Sequence, residues 1–368
     1  MNSVTTFSNA KVSGESVAGR TGFAMEAPKQ WRRAGLVLAR SKEGIGKDVL
    51  GDPCVVWDDT IPGWRMILFC HPPGHAQAIC RSAVDVGPGN WEFLGPLEFT
   101  NPSALPAGFM HKPYVVQDAY CPNRAAKIGG RYMLLGVANM PGDHKYVHRA
   151  WATQLAGPWT WDAEALIPPG KSGEFDERHV DAVTGIYFPD RHECLYYYMG
   201  YPQKPQPHSP SPLGSAQGLA VETMADGCLR KVGAILQPAR QPGHWAAGYV
   251  GGLQPLPGKS HRWVAIVGAS PTPPRPDTDK SHSREEPAPS LAGFAFCDQE
   301  YPVRCWYWDD QPVEWIEDIP PAAIAAGEGV NLWRHYILAL SDGRVAMYYN
   351  TGSYGQEQLY MKWAIIEP

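Results

Sequence analysis

One pattern recurs along this chain and limits what it can become. Gly51–Cys70, GDPCVVWDDTIPGWRMILFC, sets a loop carboxylate, Asp52, before a short apolar run (Cys54–Trp57), a polar turn (Asp58–Gly63) and a second apolar run (Arg65–Cys70). β-Branched and aromatic runs bounded by Asp, Pro and Gly form hairpins. The pattern returns at Lys112–Gln117 with Arg131–Asn139, at Asp181–Tyr201, at Gly251–Ala269 and at Tyr336–Gly352. Anchored at Asp52, Lys112, Asp181, Gly251 and Arg334, the repeat is about 60 to 80 residues long, room for a four-stranded sheet with its loops.

Third strands are predicted at matching places: Ala76–Val84, His148–Ala156, Gly218–Ala225, Leu291–Asp298 and Gln358–Ile366. Fourth strands follow the first four of these, at Trp91–Phe99, Trp159–Ile167, Leu229–Gln237 and Trp306–Ile316. The fifth repeat lacks one, and the orphan Trp31–Arg40 has the missing pattern. The economical solution is an all-β ring, a single five-bladed β-propeller whose N-terminal strand completes the last blade and leaves only short, protected edges. The blades then cover about 51–99, 112–167, 181–237, 251–316 and 334–366 plus 31–40, in one domain over 31–368. Residues 1–30 are polar and read as a flexible arm. Two Pro-rich segments, Gly200–Ser215 and Ser270–Ser290, read as long loops between second and third strands, and Pro321–Gly329 as a short helical turn.

Composition narrows the function classes. The net charge is -5 with no basic stripe, which argues against nucleic acid. No run is long enough to span a membrane as a helix. The N-terminus lacks an apolar signal segment, so the cytoplasm is the expected compartment, with a mature secreted form as the alternative. The eight cysteines are scattered without a CxxC and read as buried free thiols. The 14 Trp and 17 Tyr suit both a β core and the faces of sugars. GxSxG, HExxH, GxGxxG and P-loop motifs are missing, which lowers serine hydrolase, zincin, dinucleotide and NTPase readings.

In a propeller, the first strand of each blade lines the axis. The loops into that strand share one face with the loops from strand two to strand three. That face gathers Asp52; His111 and Lys112; Glu177, Arg178, His179 and Asp181; His244 and Trp245; Asn331 and Arg334; and Glu357. Two carboxylates on opposite walls of an axial funnel suit glycosidic bond cleavage, one acting as base on water, the other protonating the leaving oxygen. Asp52 is one; the blade-three acid is Glu177 or Asp181. Lys112 or Arg178 could tune a pKa or bind an anionic group. His111, His179, His244, Asn331, Arg334 and Glu357 read as substrate contacts, and Trp245 as a sugar platform. Each has a plainer alternative, a turn cap, a solvated loop charge or core packing.

GDPCVV in blade one, FDERHVDAVTG before blade three and the terminal MYYNTGSYGQEQLYMKWA resemble the five-bladed propeller glycoside hydrolases: family 43, family 32 and the related families 117 and 130. The resemblance spans most of the chain as architecture, on short motifs. It implies that Asp52, in its Asp-Pro context, is the base or a nucleophile, and that the acid comes from blade three. Families 43 and 117 invert. Lys112 stands where family 43 brings a pKa-tuning Asp, and the WMNDPN signature of family 32 is missing. The expectation is therefore an inverting glycoside hydrolase acting on a small-molecule or oligosaccharide substrate. No cofactor is expected, and a structural calcium ion on the axis stays open. The other readings are a non-catalytic glycan- or protein-binding propeller, and a propeller turned to phosphorolysis, lyase or other tailoring chemistry.

Overall fold

The inner strands are apolar over almost their whole length, as strands buried on both faces must be. Around them a computed structural model describes residues 24–40, 46–71, 76–82, 85–104, 110–140, 144–202, 215–241, 243–271, 290–315, 318–325, 328, 333–352 and 356–365. In chain order the strands are β1 Trp31–Leu38, β2 Val49–Asp58, β3 Gly63–His71, β4 Ala76–Ser82, β5 Glu92–Pro96, β6 Met110–Val115, β7 Gln117–Asp118 and β8 Cys121–Ala125. Then come β9 Tyr132–Met140, β10 His144–Ala152, β11 Thr160–Trp161, β12 His179–Phe188, β13 Glu193–Tyr201, β14 Ala216–Thr223 and β15 Cys228–Leu236. The last are β16 Tyr249–Pro257, β17 Trp263–Ser270, β18 Leu291–Cys297, β19 Tyr307–Pro312, β20 Trp333–Ala339, β21 Val345–Thr351 and β22 Gln358–Ala364. A short helix, α1 Pro321–Ala325, stands where the helical turn was expected, and among the described residues no helix is long and apolar enough to cross a membrane.

The strands pair antiparallel in groups of four: β2-β3-β4-β5, β6-β9-β10-β11, β12-β13-β14-β15, β16-β17-β18-β19 and β20-β21-β22-β1. The N-terminal strand therefore pairs with β22, as the orphan pattern required. Burial falls from the first strand of a group to the last: β12 is buried along its length, whereas β5 is mostly exposed. The first strands neighbour one another in cyclic order, β2 beside β6 and β20, β12 beside β6 and β16, and β16 beside β20.

Polar side chains stitch these inner strands together at the centre. The Tyr336 hydroxyl donates to Val55 O at 2.5 Å and accepts from Gln117 Nε2 at 2.5 Å. The Gln254 amide clasps Ile337, donating to its O at 3.0 Å and accepting from its N–H at 2.8 Å. Asn123 does the same for Ile337 O and Ala339 N, at 3.0 and 2.9 Å. Buried backbone groups that face other strands end-on need partners, and these amides supply them.

Two sequence expectations change. The fourth strand of the second group is only β11, two residues, although Val147 also bridges Ile167. The stretch between β6 and β9 is not a plain turn but the β7–β8 hairpin, whose short parallel bridges reach β12 and β2. In the expected loose arm, residues 1–23 lie outside the described residues, and Met25 is docked: it is buried, donates to Pro257 O at 3.0 Å and accepts from Lys259 N at 3.1 Å.

Candidate active site

The site is built on one backbone device repeated in every group. Between Gly51 and Cys54, His111 and Tyr114, Asp181 and Thr184, Gly251 and Gln254, and Trp333 and Tyr336, the register of the first strand slips against the second. In each case two inner residues oppose one outer residue, which is a β-bulge. The first bulged residue has left-handed backbone each time: Asp52 φ 52°, Lys112 φ 54°, Ala182 φ 47°, Gly252 φ 75° and Arg334 φ 49°. Four are not glycine, and each such residue costs about 1–2 kcal/mol. Strain of this kind is kept where it aims a side chain.

Asp52, Lys112 and Arg334 are thereby brought together. Asp52 is buried, and its carboxylate is fixed from two sides, accepting the Lys112 backbone N–H at 3.1 Å through Oδ2 and Asn350 Nδ2 at 2.8 Å through Oδ1. The Asp52 N–H in turn donates to Asn350 Oδ1 at 2.7 Å. Arg334 Nε stands 4.0 Å from Asp52 Oδ1.

Asp181 joins the same cluster from the residue before its bulge. Its Oδ1 takes Lys112 Nζ at 2.5 Å, and its Oδ2 takes Lys145 Nζ at 2.9 Å. Burial works against the charge of Asp181, but the two ammonium groups outweigh it and hold the carboxyl well below the usual carboxylate range. Burial pushes Lys112 the other way, down to about 8, against the pull of Asp181. This corrects the expectation that Asp181 supplies the acid: a carboxylate held ionised by two lysines has no proton to give.

Glu177 is engaged in its own loop, accepting the Gly173 N–H at 2.9 Å. Trp245 is no sugar platform: it is fully buried, its Nε1 donates to Asp309 O at 2.8 Å, and it stacks with His244 at 5.7 Å and meets Trp308 edge-on at 5.1 Å. His244 belongs to that packing too, its Nδ1 accepting Ala246 N–H at 3.1 Å. His111 lies beside Lys112 and Lys145, and burial with those two charges keeps it neutral, well below its ordinary pKa. His179 and Arg178 flank the Lys145 side: His179 pairs with Lys145 across the β10–β12 bridge and packs edge-on against Tyr201 at 5.7 Å, and Arg178 O lies 2.9 Å from His144 Nδ1. Glu357 is buried, its backbone O accepting Leu50 N–H at 3.1 Å. Asn331 lies outside the described residues.

Sequence reasoning missed Lys145, which follows a loop and carries no motif. Sequence position puts Asn350 on the same face as the candidate residues, in a loop from strand two to strand three, but does not single it out as a site residue; its place at the end of β21, facing the β20 bulge, is the position that reaches Asp52.

No family model and no curated protein matches this sequence. Solved structures do match its fold. A glycoside hydrolase superposes with a TM-score of 0.63 at 14% identity, over 93% of this chain and 93% of that one. A thermostable family-43 glycoside hydrolase gives 0.60 at 13%, over 90% and 94%. An α-L-arabinofuranosidase from Podospora anserina, in complex with cellotriose, gives 0.59 at 11%, over 92% and 98%. At these identities the likeness is one of fold.

The cluster does not suit a calcium ion. Lys112, Lys145 and Arg334 bring positive charge to it, and among the described residues no three His, Cys, Asp or Glu are grouped to hold a metal.

Proposed function

We propose that this chain is a glycoside hydrolase built as one closed five-bladed propeller over residues 31–368, with Met25 fastened to its rim. The cyclic order of the first strands and the pairing of β1 with β22 support the ring, and the solved glycoside hydrolases of like fold support the activity. Eight free cysteines support the cytoplasm as its compartment.

The observation that carries the reading is Asp52: a buried carboxylate, pinned by two hydrogen bonds on a strained bulge at the meeting point of the inner strands. Such a group is pre-aimed as general base. In the reaction we propose, Asp52 takes a proton from water as the water oxygen bonds to the anomeric carbon. The glycosidic C–O bond breaks, and its oxygen takes a proton from the Lys112 ammonium. Lys112 replaces the second carboxylate of the expected pair, and Asp181 keeps it charged and in place. A pKa of about 8 makes it a better donor than an ordinary lysine and still protonated at pH 7.

The test is turnover of a panel of aryl glycosides. Asp52→Asn should remove turnover while leaving thermal unfolding near wild type. On an active substrate the rate should fall above pH about 8, where Lys112 loses its proton. Retained activity in Asp52→Asn removes Asp52 from the mechanism. One observation favours a second reading, glycan binding without catalysis: Asp181, the blade-three carboxylate seen in the cluster, is held as an anion by two lysines. Glycan binding by a wild type that turns over none of the panel would decide for it.

A further inference from the structure

Three other sunken guanidiniums described in this molecule are met by protein acceptors. Arg33 binds Glu314 and Glu328, Arg149 binds Asp162 and Glu222, and Arg65 donates to Trp64 O and Ile61 O. Arg334 is different. Its side chain is 14% exposed, yet the nearest carboxylate oxygen is Asp52 Oδ1, 4.0 Å from Nε, beyond hydrogen-bond range. Among the described residues its guanidinium makes no hydrogen bond. Leaving such a group unmatched is costly unless something outside the protein meets it.

The space in front of Arg334 is also cleared. Its Nη1 edge faces the bulge of β16, where Gly252 has no side chain; a Cβ there would lie 3.5 Å from Nη1 and 3.9 Å from the Ala182 Cβ. Two adjacent bulges therefore carry a hydrogen and a methyl where the other three carry Asp52, Lys112 and Arg334. Asp52 stands on the Nε flank, so the opening lies on the Nη side.

The charges are not balanced. Lys112, Lys145 and Arg334 stand against Asp52 and Asp181, while His111 and His335 are held neutral by burial and by their cationic neighbours. Among these five linked groups one positive charge is left over.

We propose that Arg334 receives the carboxylate of an acidic sugar, and so places a uronosyl unit over Asp52. The proposal rests on reading the cluster as a sugar site. A carboxylate fits the planar guanidinium fork side-on. As a monoanion it also neutralises the surplus charge, whereas a phosphate dianion would overshoot it and a neutral sugar would leave it unmet.

The experiment is calorimetric titration of the full chain with glucuronate, galacturonate, the matching neutral hexoses and inorganic phosphate. Wild type should bind at least one uronate saturably and its neutral counterpart at least roughly tenfold more weakly, the worth of one charge-assisted hydrogen bond. Arg334→Gln should lose that preference, and Arg334→Lys should keep part of it, with the thermal unfolding of both variants showing that they are folded. Equal binding of uronate and hexose, no saturable uronate binding, or a preference unchanged in Arg334→Gln overturns the proposal. Binding of phosphate alone, lost in Arg334→Gln, overturns it in favour of a free oxyanion. Asp52→Asn separates this from the hydrolase reading. Uronate binding without turnover in wild type sinks hydrolysis and leaves the carboxylate site standing. Turnover of neutral glycosides without uronate binding does the reverse.

Discussion

Asp181 shows how far the chemistry of a residue departs from its type. In sequence it is one of several acids before a strand and an equal candidate with Glu177. In the structure it is the counter-ion of Lys112 and Lys145, at 2.5 and 2.9 Å, and almost wholly buried. Asp181→Asn should destabilise the fold by about 2–3 kcal/mol, because two partly exposed lysines lose their shared partner. The pH dependence gives the sign. The folded pKa lies well below the unfolded value of about 3.9, so the contribution is complete above that value and is lost as pH falls below it. Urea unfolding at pH 5 and pH 3 should show the gap between wild type and variant narrowing at the lower pH; a constant gap would mean that Asp181 acts by shape and not by charge. What the sequence made legible here was adjacency: the repeat spacing put residues 52, 112 and 181 in one cluster, and they are. What it hid was charge state, which depends on Lys145, a residue in another strand with no motif to mark it.

At the scale of the element, the strands were legible and the bulges were not. Apolar runs bounded by Gly, Pro and Asp locate the first, second and third strands of every group to within a few residues. The two-residue β7 escapes because so short a run has no period to read, and β11 is only two residues of the strand expected over Trp159–Ile167. The bulges did leave a trace. Pro53 and Pro113 sit inside first strands, where a missing N–H is tolerated only at an edge or a bulge, and both fall immediately after the left-handed residue. The fourth group uses glycine instead, which makes a clean test of the device. Gly252→Ala meets nothing nearer than 3.5 Å, so crowding is minor and the cost is conformational. Its unfolding midpoint in urea should drop by the equivalent of about 1–2 kcal/mol, the penalty for a left-handed non-glycine residue. A neutral result would mean that the bulge relaxes, and that the backbone of the other four is not strained either.

For the whole molecule the question is what holds β1, near the start of the chain, against β22, near its end. The β1–β22 ladder supplies the backbone bonds, with two register slips that weaken it. Side chains add a buried charge network across the same seam. Arg33 on β1 donates to Glu314 at 2.6 Å and to Glu328 at 3.1 Å; Lys362 on β22 reaches Glu314 at 2.5 Å; and the Tyr349 hydroxyl on β21 donates to Glu328 at 2.7 Å. Lys362 is almost completely enclosed, and burial pulls its pKa down against the pull of Glu314. Such a network says little about net stability when intact, since desolvation offsets most of the attraction, but removing one member strands the rest. Arg33→Met keeps the length and apolar stem of the side chain and removes only the charge, leaving buried Glu328 with a tyrosine hydroxyl and a lysine 4.0 Å away. The expected loss is about 3 kcal/mol in urea unfolding. Pairing it with Glu328→Gln, which takes away the stranded charge, should restore part of that loss. If Arg33→Met alone is silent, the hold of β1 on β22 belongs to the strand ladder, and the charges at the seam serve only to choose which strand pairs with β22.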